Sequence, residues 1–316
     1  MQTRQLGKTG FSIGPLVLGG NVFGWTADEK TSFAILDAFI DAGLNAVDTA
    51  DIYSKWVPGH QGGESETVIG KWFRQKPSNR DKMVLITKVG SEFSPEKKGL
   101  SERWILQAVE DSLRRLQTDT IDVYLSHWPD ASVPYEETLA AYDKLLKAGK
   151  VRSIGASNLN AAQLADSFQS AQKNHLPRYA VLQPEYNLYA RESFEGPLQA
   201  LVRNEDVGVI VYYALASGFL TGKYRSEKDF SKSPRGGGMS KYLNPRGLKL
   251  LSAMDAVANE TGADLAQIAL AWLMAQPGVT APIASATSVA QVRSLVKAVD
   301  LKLSAQQLQR LTAAGQ

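Results

Sequence analysis

Four titratable side chains stand where apolar runs end: Asp48 closes NAVD, Tyr53 follows five residues later, Lys88 closes MVLITK, and His127 follows IDVYLS. An ammonium ion at the end of an apolar strand is costly unless a carboxylate answers it, which makes Asp48 the expected partner of Lys88. That pair alone would be structural. Beside Tyr53, however, the Lys88 charge favours the phenolate, lowers a phenol pKa that starts at about 10, and makes Tyr53 a usable proton donor at neutral pH. His127 adds a neutral hydrogen-bond donor. Such a set suits protonation of a carbonyl oxygen while something else supplies an electron pair. With no cysteine in the chain and no metal-ligating cluster in its pattern, the simplest source is a hydride from a nicotinamide cofactor, and no metal site is expected. Two other readings stay open. Each residue alone is as readily a cap or a packing group, and Lys88 could be the Schiff-base nucleophile of a barrel aldolase.

Short β-rich runs alternate with longer stretches of helical period, the pattern of βα units on a parallel sheet. Strands are predicted at 15–18, 45–48, 83–88, 121–126, 151–155, 180–183, 207–212 and 279–284. Helical stripes fall between and after them, at 28–42, 101–116, 134–148, 288–298 and 304–314. Phe33, Leu36 and Ile40 share one face of the first; Ser101 reads as an N-cap and Gly149 as a stop. Pieces 3–6 and 11–13 around Gly7-Lys8-Thr9-Gly10 read as a β-hairpin plugging one end. Eight units without a linker predict one (β/α)₈ TIM barrel domain over 1–316, in which strand C-termini build the active site. An open doubly wound sheet is the runner-up, but Leu18-Gly19-Gly20-Asn21 stands where its glycine fingerprint would be. One stretch breaks the rhythm. Residues 223–246, after the seventh strand, hold seven Lys or Arg against two acids and read as a long, mobile basic loop able to attract phosphate.

The 316 residues are 44% hydrophobic, enough for a large core, and the net charge of +3 gives no strong reason to expect nucleic acid or an anionic membrane as partner. Residues 1–14 lack an apolar signal core and no run of 18 apolar residues occurs, so a cytoplasmic protein is expected.

Together these segments are similar to the aldo-keto reductase superfamily along essentially the whole chain. The resemblance rests on Asp48-Thr49-Ala50-Asp51-Ile52-Tyr53, Gly62-Gly63-Glu64-Ser65-Glu66, Thr87-Lys88, Ser126-His127-Trp128-Pro129, Gly155-Ala156-Ser157-Asn158, Gln183-Pro184-Glu185-Tyr186-Asn187 and the run Tyr212 to Tyr224. It points to the bacterial branch that resembles the potassium-channel β subunits. The resemblance implies NAD(P)H-linked carbonyl reduction with Asp48, Tyr53, Lys88 and His127 as catalytic tetrad. Tyr53 would be the general acid, Lys88 and Asp48 would tune it, and His127 would orient the carbonyl. It further implies that Ser157, Asn158 and Gln183 hold the nicotinamide carboxamide and that Tyr212 stacks on the ring. Leu215, Ser217, Gly218, Leu220 and Lys223 would embrace the pyrophosphate. Tyr213-Ala214 replaces the usual Ser-Pro there. For the adenosine end the resemblance offers Ser285, Thr287, Ser288 and Gln291, with Arg293 nearby but without the usual cation and asparagine. NADP is favoured, with NAD as the alternative.

Two functions follow from the resemblance: a carbonyl reductase, or a cofactor-binding regulatory subunit like the channel β subunits. Trp25, Trp56 and Trp128 are expected at the mouth, facing a small-molecule carbonyl or alcohol substrate. No long C-terminal tail covers that mouth, which predicts broad aldehyde tolerance.

Overall fold

Two short strands, β1 (Arg4–Gln5) and β2 (Ser12–Ile13), pair antiparallel with Arg4 opposite Ile13, as the turn chemistry predicts. The computed structural model describes residues 2–316. Leu6 and Ile13 of this hairpin are buried among the inward side chains of the main sheet, including Val17, Ala46, Ile86 and Val123, so the hairpin plugs the barrel floor. Seating it takes two glycines. A Cβ on Gly7 (φ +51°) would fall 2.2 Å from the Gly208 nitrogen, and one on Gly208 would fall 2.6 Å from the Leu6 carbonyl carbon.

Eight parallel strands close the barrel in chain order: β3 (Val17–Gly19), β4 (Ala46–Asp48), β5 (Val84–Val89), β6 (Ile121–Ser126), β7 (Val151–Ser157), β8 (Val181–Gln183), β9 (Gly208–Val211) and β10 (Ala281–Ala284), the last pairing back with β3. The fold is the predicted (β/α)₈ barrel, and closure rules out the open sheet. The first strand starts later than predicted, at Val17, beyond Pro15, which has no N–H for a ladder.

The helices are α1 (Glu29–Asp41), α2 (Glu64–Gln75), α3 (Ser78–Asp81), α4 (Glu102–Leu116), α5 (Tyr135–Lys147), α6 (Ala161–Asn174), α7 (Pro197–Asn204), α8 (Pro245–Thr261), α9 (Leu265–Met274), α10 (Val289–Val296) and α11 (Ala305–Ala314). Their apolar stripes and the outward strand faces form the larger core layer. On α4 the buried set is Trp104, Ile105, Ala108, Val109, Ser112, Leu113 and Leu116, and the Ser101 side chain caps its first turn by accepting from Trp104 N. No described helix is long and apolar enough to cross a membrane.

The basic stretch 223–246 follows the seventh barrel strand as a long loop, as expected, and carries local structure of its own. It folds into 3₁₀ turns at Glu227–Lys232 and Gly236–Gly238. Ser226 and Asp229 form a reciprocal cap, Arg225 forks onto Asp255 of α8 at 2.7 and 2.8 Å, and Tyr224, Met239 and Tyr242 are buried beneath it.

Candidate active site

Parallel register sets the height of each polar group at the C-terminal end. Asp48, the last residue of β4, pairs with Ile86, so Lys88 stands two residues further along β5, level with Leu125 of β6. Side chains alternate in direction along a strand, which points Ile86 and Lys88 to the same side. Lys88 is fully buried and its Nζ donates to Asp48 Oδ2 at 2.8 Å, Thr49 O at 2.8 Å and Tyr53 Oη at 2.9 Å. Its three protons are thereby committed. Tyr53 Oη also lies 3.5 Å from Asp48 Oδ2.

Burial, with the Asp48 carboxylate next in weight, raises the Tyr53 phenol well above its ordinary range. This corrects the expectation that Lys88 lowers it. The ammonium is shared with Asp48, whose negative charge opposes ionisation of the phenol, and burial pulls Lys88 itself downward against the pull of Asp48. Tyr53 therefore holds its proton firmly, which is the form a general acid requires.

His127 follows β6; its N–H donates to Val89 O at 2.8 Å and its ring lies edge-on to Tyr53 at 6.1 Å between centroids. Burial, followed by the Lys88 charge, drives the imidazole well below its ordinary pKa, so it is neutral. Ser91 Oγ lies 3.0 Å from Nδ1. The tautomer that makes Nε2 a donor is the one in which Ser91 donates to Nδ1. Sequence reasoning missed Ser91, since nothing local distinguishes it from any other loop serine.

Beneath these groups Asp51 is buried with both carboxylate oxygens unpartnered, and so is the Tyr124 hydroxyl. Burial, followed by the nearby Glu66 charge, holds the Asp51 carboxyl well above the usual range. Glu66 is itself satisfied by Thr87 Oγ1 at 2.6 Å and Arg115 Nε at 2.7 Å.

A cavity of about 860 Å³ opens over the tetrad. Its wall includes Asp48, Tyr53, His127, Ser157, Asn158, Gln183, Tyr212, Leu215, Ser217, Gly218, Lys223, Ser285, Thr287 and Gln291, together with Trp25, Trp56 and Trp128. Three anticipated residues are not in the wall: Lys88 lies under Tyr53, Leu220 is wholly buried, and Ser288 instead caps α10 by accepting from Gln291 N at 3.2 Å. Arg293 is exposed outside it. Trp128 stacks on the His127 ring at 5.7 Å, and Trp56 and Trp128 are each 49% exposed. Asn21, Thr26, Tyr213, Ser233 and Arg235 also line the cavity and were not foreseen.

The donor set of this wall fits a dinucleotide. At one end Asn158, held at φ +63°, donates from Nδ2 to His127 O at 2.9 Å and accepts from Tyr212 Oη at 2.7 Å. Ser157 Oγ donates to Gln183 O, and Gln183 Nε2 to Asp48 Oδ1, both at 2.7 Å. In the middle, Ala216, Ser217 and Gly218 have φ of +47°, +56° and +101°, a left-handed curl beside the Lys223 side chain of the kind that shapes anion-binding concavities. At the far end the Gln291 side-chain oxygen accepts from Thr287 N at 2.8 Å, beside Ser285.

The family model described as Aldo/keto reductase family matches residues 15–316. The chain is 35% identical over 317 residues to a Bacillus subtilis protein named "Uncharacterized oxidoreductase YrpG", covering 98% of this chain and 95% of that one. It is 34% identical to the "Probable voltage-gated potassium channel subunit beta" of Arabidopsis thaliana, covering 95% and 92%. To "Aldo-keto reductase YhdN" of Bacillus subtilis it is 34% identical, covering 90% and 82%.

Proposed function

Because this chain belongs to the Aldo/keto reductase family and is an oxidoreductase, we propose that it reduces aldehydes and ketones to alcohols with NADPH, Tyr53 supplying the proton. The observation that carries the reading is the Asp48–Lys88–Tyr53 contact, 2.8 and 2.9 Å long, facing a cavity whose wall fits a dinucleotide. When bound, the reduced cofactor supplies a hydride to the carbonyl carbon.

The chain's own groups then have separable tasks. His127 Nε2 orients the carbonyl oxygen, and its neutrality avoids placing a second cation beside Lys88. Tyr53 Oη gives its proton to that oxygen as the C=O π pair moves onto it. The phenolate left behind faces the Lys88 ammonium at 2.9 Å, a fixed charge aimed at where negative charge develops. Ser157, Asn158 and Gln183 orient the carboxamide, and the aromatic face of Tyr212 supports the ring. Ser217, Gly218 and Lys223 serve the pyrophosphate. Ser285, Thr287 and Gln291 serve the adenosine end, where hydroxyl donors and the start of α10 favour NADP, with NAD as the alternative.

The test follows reduced-nicotinamide absorbance with a panel of aldehydes, after titrations with NADPH and NADH. Steady turnover that disappears in Tyr53→Phe supports the reading. A second reading is favoured by the likeness to the Arabidopsis channel subunit: a cofactor-binding regulatory subunit. Tight cofactor binding with no turnover on any carbonyl would favour it.

A further inference from the structure

We propose that Lys55 is a positioning residue for carbonyl reduction, a cross-link that holds the loop carrying Tyr53 against the loop carrying Ser91 and, through Ser91, against the His127 ring. The inference rests on the reductase reading of the cavity and adds a residue that the cavity wall does not contain. Lys55 Nζ donates to Glu92 O at 3.0 Å and to Phe93 O at 2.6 Å, the two carbonyls that follow Ser91. The same ammonium lies 5.5 Å from the centroid of the Phe93 ring. That ring is rooted in the barrel, packing edge-on against the buried Trp104 of α4 at 6.3 Å. Gly62, at the far end of the Tyr53 loop, leaves room for it, since a Cβ there would fall 2.7 Å from a Phe93 ring carbon. The Glu92 carboxylate does not compete for Lys55 and pairs with Lys98 at 3.3 Å.

Little else joins the two loops. The backbone bonds that follow Tyr53 are local turns: Tyr53 N to Ala50 O, Lys55 N to Ile52 O, Val57 N to Ser54 O and His60 N to Val57 O. The Ser54 hydroxyl donates to Phe23 O at 3.2 Å, so that among the described residues Lys55 alone hydrogen-bonds from 54–62 to 90–100. The proposed reaction asks both loops to meet on one atom. Tyr53 Oη must reach the same carbonyl oxygen that His127 orients, the two rings are 6.1 Å apart, and Ser91 meets the imidazole at 3.0 Å. Lys88 fixes the phenol oxygen at 2.9 Å, but one contact fixes a distance and not a tilt. A misplacement of about 1 Å between acid and substrate can cost about 10²-fold in rate, so a cross-link outside the cavity bears directly on the chemistry.

The experiment follows single-turnover oxidation of bound NADPH by saturating 4-nitrobenzaldehyde in the wild type, Lys55→Met and Lys55→Arg. The Kd for NADPH and the imidazole ¹⁵N shifts of His127 are measured alongside. A merely structural lysine would lower the amplitude, because fewer molecules are folded, and leave the rate constant unchanged. A positioning lysine lowers the rate constant at full amplitude. The expected result is a fall of about tenfold in that rate constant in Lys55→Met, with NADPH affinity within about twofold. Lys55→Arg, whose guanidinium can donate to both carbonyls, should recover to within about threefold of the wild type. The His127 shifts should move toward a tautomer mixture in Lys55→Met as Ser91 loosens, a readout that needs no turnover. An unchanged rate constant overturns the proposal, and so does lost amplitude at the wild-type rate. A wild type that reduces neither this aldehyde nor any other overturns the reductase reading. Moved His127 shifts in Lys55→Met would then still uphold the link between the loops, and unmoved shifts would overturn both.

Discussion

Gln183 Nε2 donates to Asp48 Oδ1 at 2.7 Å, while Asp48 Oδ2 accepts from Lys88 at 2.8 Å. One carboxylate thus ties the amide fork at the end of β8 to the ammonium that faces Tyr53. Gln183→Leu is expected to raise the Kd for NADPH and lower kcat together. A hydrogen bond to a charged group contributes about 1.5–3 kcal/mol, so each effect should be roughly tenfold or more. A variant that weakens cofactor binding and leaves kcat intact would show that the two ends act independently.

In the proposed mechanism Tyr53 is the acid, so removing its hydroxyl should remove proton transfer. Tyr53→Phe should cut kcat/KM for aldehyde reduction by about 10²–10⁴, the usual range for a positioned acid, while NADPH still quenches tryptophan fluorescence with near wild-type affinity. Because burial and Asp48 raise the phenol, wild-type reduction should show no Tyr53 limb below the ordinary phenol range. A limb near neutrality that vanishes in Tyr53→Phe would contradict the assigned direction.

In the proposed mechanism Ser91 would act through His127, as a positioning residue. Ser91→Ala should lower kcat about tenfold with little change in NADPH affinity, and Ser91→Thr should recover part of it, since the hydroxyl that meets Nδ1 at 3.0 Å is restored. Imidazole ¹⁵N shifts should report the Nε2–H tautomer in the wild type and a mixture in Ser91→Ala. An unmixed tautomer in both would remove this role.

His127 also bears on acid stability. Its pKa is depressed in the folded chain, so its contribution is present above the unfolded value of about 6.5 and is lost as pH falls through the folded value. His127→Gln should flatten the fall in Tm below pH 6.5 relative to the wild type; parallel curves would refute it.

Asp51 has the opposite sign. Its folded pKa is raised, so the stability tied to holding its proton is complete below the unfolded value of about 3.9 and declines as pH rises. Asp51→Asn keeps the shape of the protonated acid without an ionisable proton. Scanning calorimetry should find it no more stable than the wild type near pH 4 and more stable near pH 8, by roughly 2 °C or more. A variant that melts lower across the range would mean that the carboxylate has a stabilising partner.

The amino-acid sequence by itself determined the barrel, its hairpin plug and the positions of Asp48, Tyr53, Lys88 and His127. Strand period, caps and turn residues are local properties, and a polar residue ending an apolar run already declares which end of the strand carries chemistry. Tertiary structure decided the rest. Register brought Gln183 to Asp48 across a separation of 135 residues, and packing chose which of seven cations in 223–246 turned inward on Trp25. The sign of the Tyr53 shift was likewise hidden. It depends on how one ammonium is divided between a carboxylate and a phenol and on how much water each has lost, quantities that exist only once the chain is folded.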